Sequence, residues 1–421
     1  MTIRKSEPSI LICGAGIAGP ALAHWLIRAG LAPTLIERAP ALRQGGYVID
    51  FWGKGYDLVE EMGLLPPVLH AGYDVRELRL VDADGRRTAS FAFDTMRTAL
   101  GARYTSLPRS ALSAILYGSV ASRVETSFGN SVTRLDPERD GVRVSFENGP
   151  ARRFDLVVGA DGLHSTVRQL AFGPERQFER FLGYTVAAFE ASGYRPRHED
   201  MYIGHSAPGR LIARMSLRKD RTLFLLVAAE QDARVPSADD PAEQVAYVRE
   251  RFGGMGWEAS QIVQTLERGG PLYFERMSQI HMDQWTAGRV VLLGDAAWAP
   301  SLLAGEGSGL AIIGAYVLAG ELVGNRRWES ALARYEARLR PFVADKQRSA
   351  AGFGGVFAPK TRLGIFLRAR VMKLLSFPPV ARRLLGASLR DRITLERYPE
   401  LARPTTASVG RSDGRQSTAH A

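Results

Sequence analysis

The sequence predicts an α/β protein in which a helix-wrapped parallel sheet is interrupted by a mainly antiparallel sheet and followed by helices. Three observations carry this. Short apolar runs at 9–13, 154–158 and 290–293 each end in a glycine and fit strands buried on both faces. Between about Phe181 and Phe274 the pattern changes to longer extended segments such as YTVAAFEAS, GRLIARMSL and RTLFLLVAAE, joined by polar turns like Arg218-Lys219-Asp220-Arg221. Beyond Pro341 comes a helical, arginine-rich portion that includes TRLGIFLRARVMKLL and PPVARRLLGASLRDR.

At the amino-terminal end, Ser9 to Cys13 reads as a buried strand, Gly16 to Ala29 as a helix and Pro33 to Glu37 as a second strand, a compact βαβ unit. Its first turn is Gly14-Ala15-Gly16-Ile17-Ala18-Gly19. In that order the first glycine permits a tight turn, the second admits a pyrophosphate and the third lets helix pack on strand. Glu37, followed by Arg38, ends the second strand where a carboxylate accepts hydrogen bonds from a ribose. Strand before, helix after and an acid about twenty residues on together make a Rossmann-like dinucleotide fingerprint.

The next glycine cluster, Gly45-Gly46-Tyr47, is open between a hairpin turn and a mobile loop near a cofactor. Arg109 opens an apolar helical run after Pro108, either as a solvated helix end or as a phosphate contact. The strand Phe154 to Val158 leads into Gly159-Ala160-Asp161-Gly162, then His164, Ser165, Val167 and Arg168. The strands between Phe181 and Phe274 suggest a sheet inserted into the α/β domain. From Gly288 the chain returns, and VVLLGDAAWAPSLLAGEGSGLA runs from a buried strand into Gly294-Asp295. An aspartate there is costly unless something binds it, while Gly305, Gly307 and Gly309 let backbone approach a bound group ahead of an apolar helix. The expected segments are an α/β domain from 1–178 and 277–340, a β-sheet domain at 179–276, helices at 341–404 and a disordered tail at 405–421.

Across 421 residues the formal net charge is +11, largely from arginine. No nucleic-acid module is apparent, and a solvated surface accounts for the charge. The single cysteine, Cys13, excludes an internal disulfide framework and any multi-cysteine metal site, and suits a reducing cytoplasm. The first residues lack a signal-peptide layout, and no run approaches the ~20 apolar residues of a transmembrane segment. His164, His205 and His281 lack metal-ligand spacing and read as structural or surface residues.

GAGIAG with Glu37-Arg38, then DGLHSTVR, then GDAAWAPSLLAGEGSG together resemble the signature of the FAD-dependent class A monooxygenases. That group includes para-hydroxybenzoate hydroxylase and the tetracycline-inactivating flavoenzymes, and the resemblance covers roughly Ser9 to Pro341. It implies a Rossmann-like FAD-binding domain with an inserted mainly antiparallel β-sheet substrate domain and C-terminal helices. By the resemblance, Gly294 and Asp295 meet the FAD ribityl chain, and Pro300, Gly305, Gly307 and Ser308 lie against the pyrophosphate and flavin ring. Asp161, Gly162, Ser165 and Arg168 match a motif associated with both FAD and the nicotinamide nucleotide. Arg109 matches an arginine that touches FAD, Val132 lies near the adenine, and Gly45-Gly46 leave room for the flavin or its cover to move. Trp298 and Glu306 depart from the family's common residues.

The implied chemistry takes electrons from NADPH or NADH, uses molecular oxygen through a flavin C4a-hydroperoxide and hydroxylates a small molecule, usually aromatic or polyketide-like. No side chain need be an obligatory acid or base. Arg214, in the strand LIARMSL, either faces outward or reaches an anionic substrate, and Tyr47 either gates the flavin or packs. An FAD-dependent isoprenoid double-bond reductase and a redox-responsive binding module are the alternatives. Substrate identity and oligomeric state stay open.

Overall fold

The computed structural model describes residues 8–377, except 44, 231–234, 237–239, 302–304 and 326, together with 380 and 391–402. The expected tail from Thr405 lies outside them.

The first sheet forms around β1 (Ile10–Cys13), with β2 (Thr34–Glu37) on one side and Leu156–Gly159 on the other, all parallel. Val290–Leu292 extends the sheet beyond Leu156–Gly159, and Thr286–Ala287 closes that edge antiparallel. Leu11, Ile12, Leu35, Val157, Val158 and Val291 are fully buried, which is why these strands are apolar on both faces. Their register pairs Cys13 with Gly159 and Gly159 with Leu292. The three glycine-bearing loops therefore leave one edge of the sheet, at the carboxyl ends of parallel strands, where such sheets bind ligands.

The helix α1 (Ala18–Arg28) packs against the helix Gly307–Gly324, whose side chains are apolar nearly all round. By length and composition this 18-residue helix could cross a membrane, yet 78% of it is buried inside the protein, so it is a core helix. Beside it runs the helix Trp328–Ala350, which continues through Pro341, where a segment boundary was expected. Leu339, Phe342 and Val343 are buried on both sides of the proline, and their packing offsets its lost hydrogen bond.

The second sheet has seven strands. Four central strands, Glu179–Ser192, Arg221–Ala229, Arg210–Ser216 and Met201–Ala207, pair antiparallel in that spatial order, with Leu272–Ile280 at one edge. The other edge comes from a segment expected in the first domain: Glu77–Val81 pairs parallel with Met201–Ala207 and antiparallel with Arg87–Ala92. Along the central strands side chains alternate between faces. Ala187, Phe189, Ile212 and Phe224 pack beneath the helices Pro241–Phe252 and Ala259–Glu267. Ala188, Met215 and Leu223 face the other way, toward Tyr104 and Trp52. Those two residues belong to an antiparallel pair made by β3 (Val48–Trp52) and Tyr104–Pro108. Gly45 and Gly46, with φ of +74° and +100°, thus lead into a strand whose partner is far along the chain, not into a local hairpin.

A candidate cofactor site

In the first loop the three fingerprint glycines separate by what surrounds them. Gly14 has φ +111°, and a methyl group on it would lie 2.4 Å from the Ala160 carbonyl oxygen. A methyl on Gly19 would lie 1.9 Å from the Gly14 carbonyl oxygen, so helix and strand need both glycines to pack. One on Gly16 would meet nothing within 4 Å. That open position stands just before Ile17 and Ala18, which start α1 and are buried. The Glu37 carboxylate accepts hydrogen bonds from the Ala15 amide at 2.8 Å and the Ala39 amide at 2.9 Å, tying the end of β2 to the loop. Ser113 was not anticipated. Its hydroxyl donates to the Gly16 carbonyl at 3.0 Å and pins the loop from the helix Arg109–Gly118. Arg38 is exposed beside Glu37, and Val132 is buried two residues after Asn130, whose amide donates to the Glu37 carbonyl at 3.0 Å.

The second loop is held by its own side chains. Asp161 accepts from the Ser165 hydroxyl at 2.5 Å and the Val167 amide at 3.0 Å, and burial raises its carboxyl above the usual range. Gly162 has φ +84° and open space around it. Arg168 differs from the expected cofactor contact. It is fully buried and donates to the Leu163 carbonyl, the Ala296 carbonyl and Glu175, at 2.6, 3.0 and 2.6 Å. Its guanidinium clamps this loop to the one carrying Asp295 through the Leu163 and Ala296 carbonyls, with Glu175 balancing its charge. His164 bridges Glu175 at 2.8 Å and Glu275 at 3.2 Å; hydrogen bonds to these carboxylates raise its pKa to about 10.

The third loop turns at Gly294, φ +68°, against Ala18. Asp295 then opens the short helix Asp295–Trp298, and a methyl on Gly307 would stand 3.6 Å from its carboxylate. Burial raises the Asp295 pKa, opposed by the facing Arg109. Burial alone would lower Arg109, but Tyr47 and Asp295 hold it raised. Among the described residues neither charge makes a side-chain hydrogen bond or ion pair, so the two face a shared gap. Tyr47 lies beside it, its hydroxyl pushed up to about 12 by burial, and its ring packs on Tyr273 at 5.6 Å between centroids. The Tyr47 carbonyl accepts from the Arg109 amide at 3.0 Å. Gly305 has φ +69° with open space, Ser308 is buried, and the Pro300 carbonyl accepts from Gln279 at 2.8 Å.

Glu306 is neutralised by Lys346, whose ammonium lies 2.6 Å from it and 2.9 Å from Asp391. Trp298 is buried and packs on Trp285 with centroids 4.5 Å apart. Asp50, passed over in the sequence, lines the same cavity as Gly305 and Glu306 and accepts from Tyr104 and Ser106 at 2.5 and 2.6 Å. Tyr273, Glu275 and Asp50 carried no sequence signal, because strand pairing alone brings them here.

Arg214 does not belong to this site. It is 2% exposed, on the face beneath the helix Ala259–Glu267, and pairs with Glu258 through contacts of 2.6 and 2.9 Å. His198, Tyr194 and Trp257 complete its surroundings. The alternation of the strand turns it away from the cleft, and it is buried against Glu258 rather than outward-facing. His205 is likewise structural, bonded to the Val81 and Met255 carbonyls at 3.0 and 2.9 Å. Among the described residues no group of His, Cys, Asp and Glu could hold a metal ion.

A parallel sheet with a glycine cradle, an acid at the end of β2 and a second, antiparallel sheet across the cleft define a flavin-binding protein. The chain belongs to the FAD binding domain family, which matches residues 7–350, and it is an FAD-dependent monooxygenase. An uncharacterised Mycobacterium tuberculosis protein is 37% identical over 80% of this chain and 91% of its own length. Flavin-dependent monooxygenases of an unknown prokaryotic organism and of Legionella longbeachae are 34% and 32% identical, each over 80% of this chain and 87% of their own. The crystal structure of tetracycline destructase Tet(55) superposes with TM-score 0.79 at 28% identity, over 93% of this chain and 99% of that one. Klebsiella pneumoniae HpxO, solved with FAD and uric acid, shares the fold at 22% identity, with TM-score 0.74 over 91% and 96% of the two chains.

Proposed function

We propose that the protein hydroxylates an aromatic or polyketide-like small molecule, consuming NADPH or NADH and molecular oxygen. The observation that carries this reading is the wall across the cleft. Tyr47, Trp52, Tyr202 and Tyr273 are partly exposed there and pack with Met215 and Leu223 of the second sheet. Flat apolar rings prefer such surfaces, and the relatives named for tetracycline and uric acid act on or bind flat ring systems.

The residues fit FAD. Gly16 leaves the only opening among the three fingerprint glycines and stands at the N-terminus of α1, suited to a pyrophosphate. Glu37 offers a carboxylate to the ribose, and Arg109 and Asp295 offer opposite charges across their gap to phosphate and hydroxyl groups. When bound, FAD supplies electron transfer from the nicotinamide and activation of oxygen. Tyr47 and Tyr273 keep water from the cleft and orient a ring against it. Arg168 holds the loops in place without entering it, and Lys346 lines the cavity beside Glu306.

The test is a screen of phenolic and polycyclic compounds for stimulated NAD(P)H consumption, with mass analysis of products. A product heavier by one oxygen atom supports the reading. A product gaining only two hydrogens, formed equally well without oxygen, overturns it in favour of double-bond reduction.

A further inference from the structure

The helix Arg362–Leu375 carries an apolar face that the other described residues leave open. Its inner side, with Ile365, Arg368 and Met372, lies toward the edge strand Arg87–Ala92. Arg368 fixes it there by donating to the Val356 and Phe357 carbonyls and to Ser206, at 3.1, 2.8 and 2.7 Å, and Ser376 donates to the Ser90 carbonyl at 3.1 Å. Along the outer side stand Leu363, Phe366, Leu367, Val371 and Leu374, each more than half exposed, with exposed Phe377 just past the helix end. Their spacing of three and four residues places them on one stripe. Soluble proteins rarely leave so many large apolar side chains adjacent and uncovered.

The charge around that stripe has one sign. Residues 360–377 contain five lysines and arginines and no aspartate or glutamate. Arg370 lies within the stripe, its guanidinium 4.8 Å from the Phe366 ring, and Lys373 borders it. Two copies of this helix laid face to face would bring like charges together, with no acid of the helix to meet them. A convex apolar stripe flanked by cations instead matches a surface that is anionic at its head groups and apolar beneath.

We propose that the outer face of the helix Arg362–Leu375 docks the protein peripherally onto an anionic lipid surface, with Phe366 and Leu367 entering the acyl boundary and Arg370 and Lys373 meeting the head groups.

The test uses the full-length FAD-loaded protein, sedimented with vesicles of phosphatidylcholine alone and of phosphatidylcholine mixed with phosphatidylglycerol. The expected result is partition onto the mixed vesicles that falls as salt rises. Phe366→Ser/Leu367→Ser and Arg370→Gln/Lys373→Gln should each weaken it at least about tenfold while bound flavin is retained. The second pair leaves the apolar stripe whole, so the proposal stays testable should the first pair disturb folding. Failure of the wild-type protein to bind the mixed vesicles would overturn the proposal, as would equal binding to both vesicle types. A concentration-dependent dimer in lipid-free buffer, dissolved by Phe366→Ser/Leu367→Ser, would assign the face to a second copy and overturn it too.

Discussion

Asp295 and Arg109 hold opposite charges across a gap that neither closes, so removing Asp295 subtracts little from the fold and much from whatever fills the gap. Charge-assisted hydrogen bonds contribute roughly 1.5–3 kcal/mol each. Asp295→Ala should therefore weaken FAD binding tenfold or more, measured by titration of the apo-protein, while its unfolding temperature without FAD changes little. His164 supports a pH prediction. Its folded pKa, raised to about 10 by Glu175 and Glu275, exceeds that of a free imidazole, about 6.5. The stabilisation is fully present below about pH 6.5 and disappears as pH rises through 10. Because the ring is half exposed, screening holds it to about 1 kcal/mol or less. His164→Gln should accordingly lower the unfolding temperature at pH 6, with the difference shrinking as pH rises toward and past 10; a constant difference across that range would contradict the assignment. Asp295 and Glu37 were legible in the sequence because each ends a buried strand where a carboxylate needs a partner. The surroundings of Arg214 were not, since Glu258 lies 44 residues away and meets it only through the packing of a helix on a sheet.

At the scale of elements, the loop after β1 divides its glycines between packing and binding. Gly19→Ala would drive a methyl into the Gly14 carbonyl, where backbone on both sides prevents relaxation. It should cost several kcal/mol, in the range of severe overpacking, and give insoluble or strongly destabilised protein. Gly16→Ala meets no protein atom, so apo stability should stay within about 0.5 kcal/mol of wild type or rise slightly. The same methyl would occupy the space beside the α1 N-terminus and lower FAD affinity at least about tenfold. Thermal melts and FAD titrations on the two variants decide between the roles, and an unstable Gly16→Ala with normal affinity would reverse them. This part of the fold was readable because the order of glycines, strand and helix is local. The strands Glu77–Val81 and Arg87–Ala92 were not assigned to the second sheet because their membership rests on a parallel pairing with Met201–Ala207, more than a hundred residues on. Local alternation announces a strand but not its neighbour.

Across the whole molecule, the last described segment returns to the cofactor-binding half and joins pieces distant in sequence. Asp391 accepts from the Lys54 amide at 2.7 Å, at the start of the helix after β3, and lies 2.9 Å from the Lys346 ammonium on the long helix. Lys346 in turn meets Glu306 at the head of the helix Gly307–Gly324. Farther along, Tyr398 packs on Gly320 and donates to Glu321 at 2.9 Å, and Leu401 is fully buried. The two carboxylates around Lys346 are not equivalent. Glu306 is raised by burial despite the ammonium, so its ionisation works against the native state. Its contribution favours folding below the unfolded carboxyl pKa and is lost as pH rises through the folded value. Asp391 also satisfies a backbone amide at a helix start, a role that substitution to alanine leaves vacant. Asp391→Ala should therefore destabilise the protein by about 2–4 kcal/mol at pH 7, combining a broken buried pair with a lost cap. Glu306→Gln at the same pH should be neutral or mildly stabilising, because Asp391 still holds the ammonium and the amide still accepts a hydrogen bond. Chemical denaturation of the apo-protein separates the two. Equal losses for both variants would mean that the charges act as one rigid cluster and that the returning segment has no separate part in holding the cofactor half together.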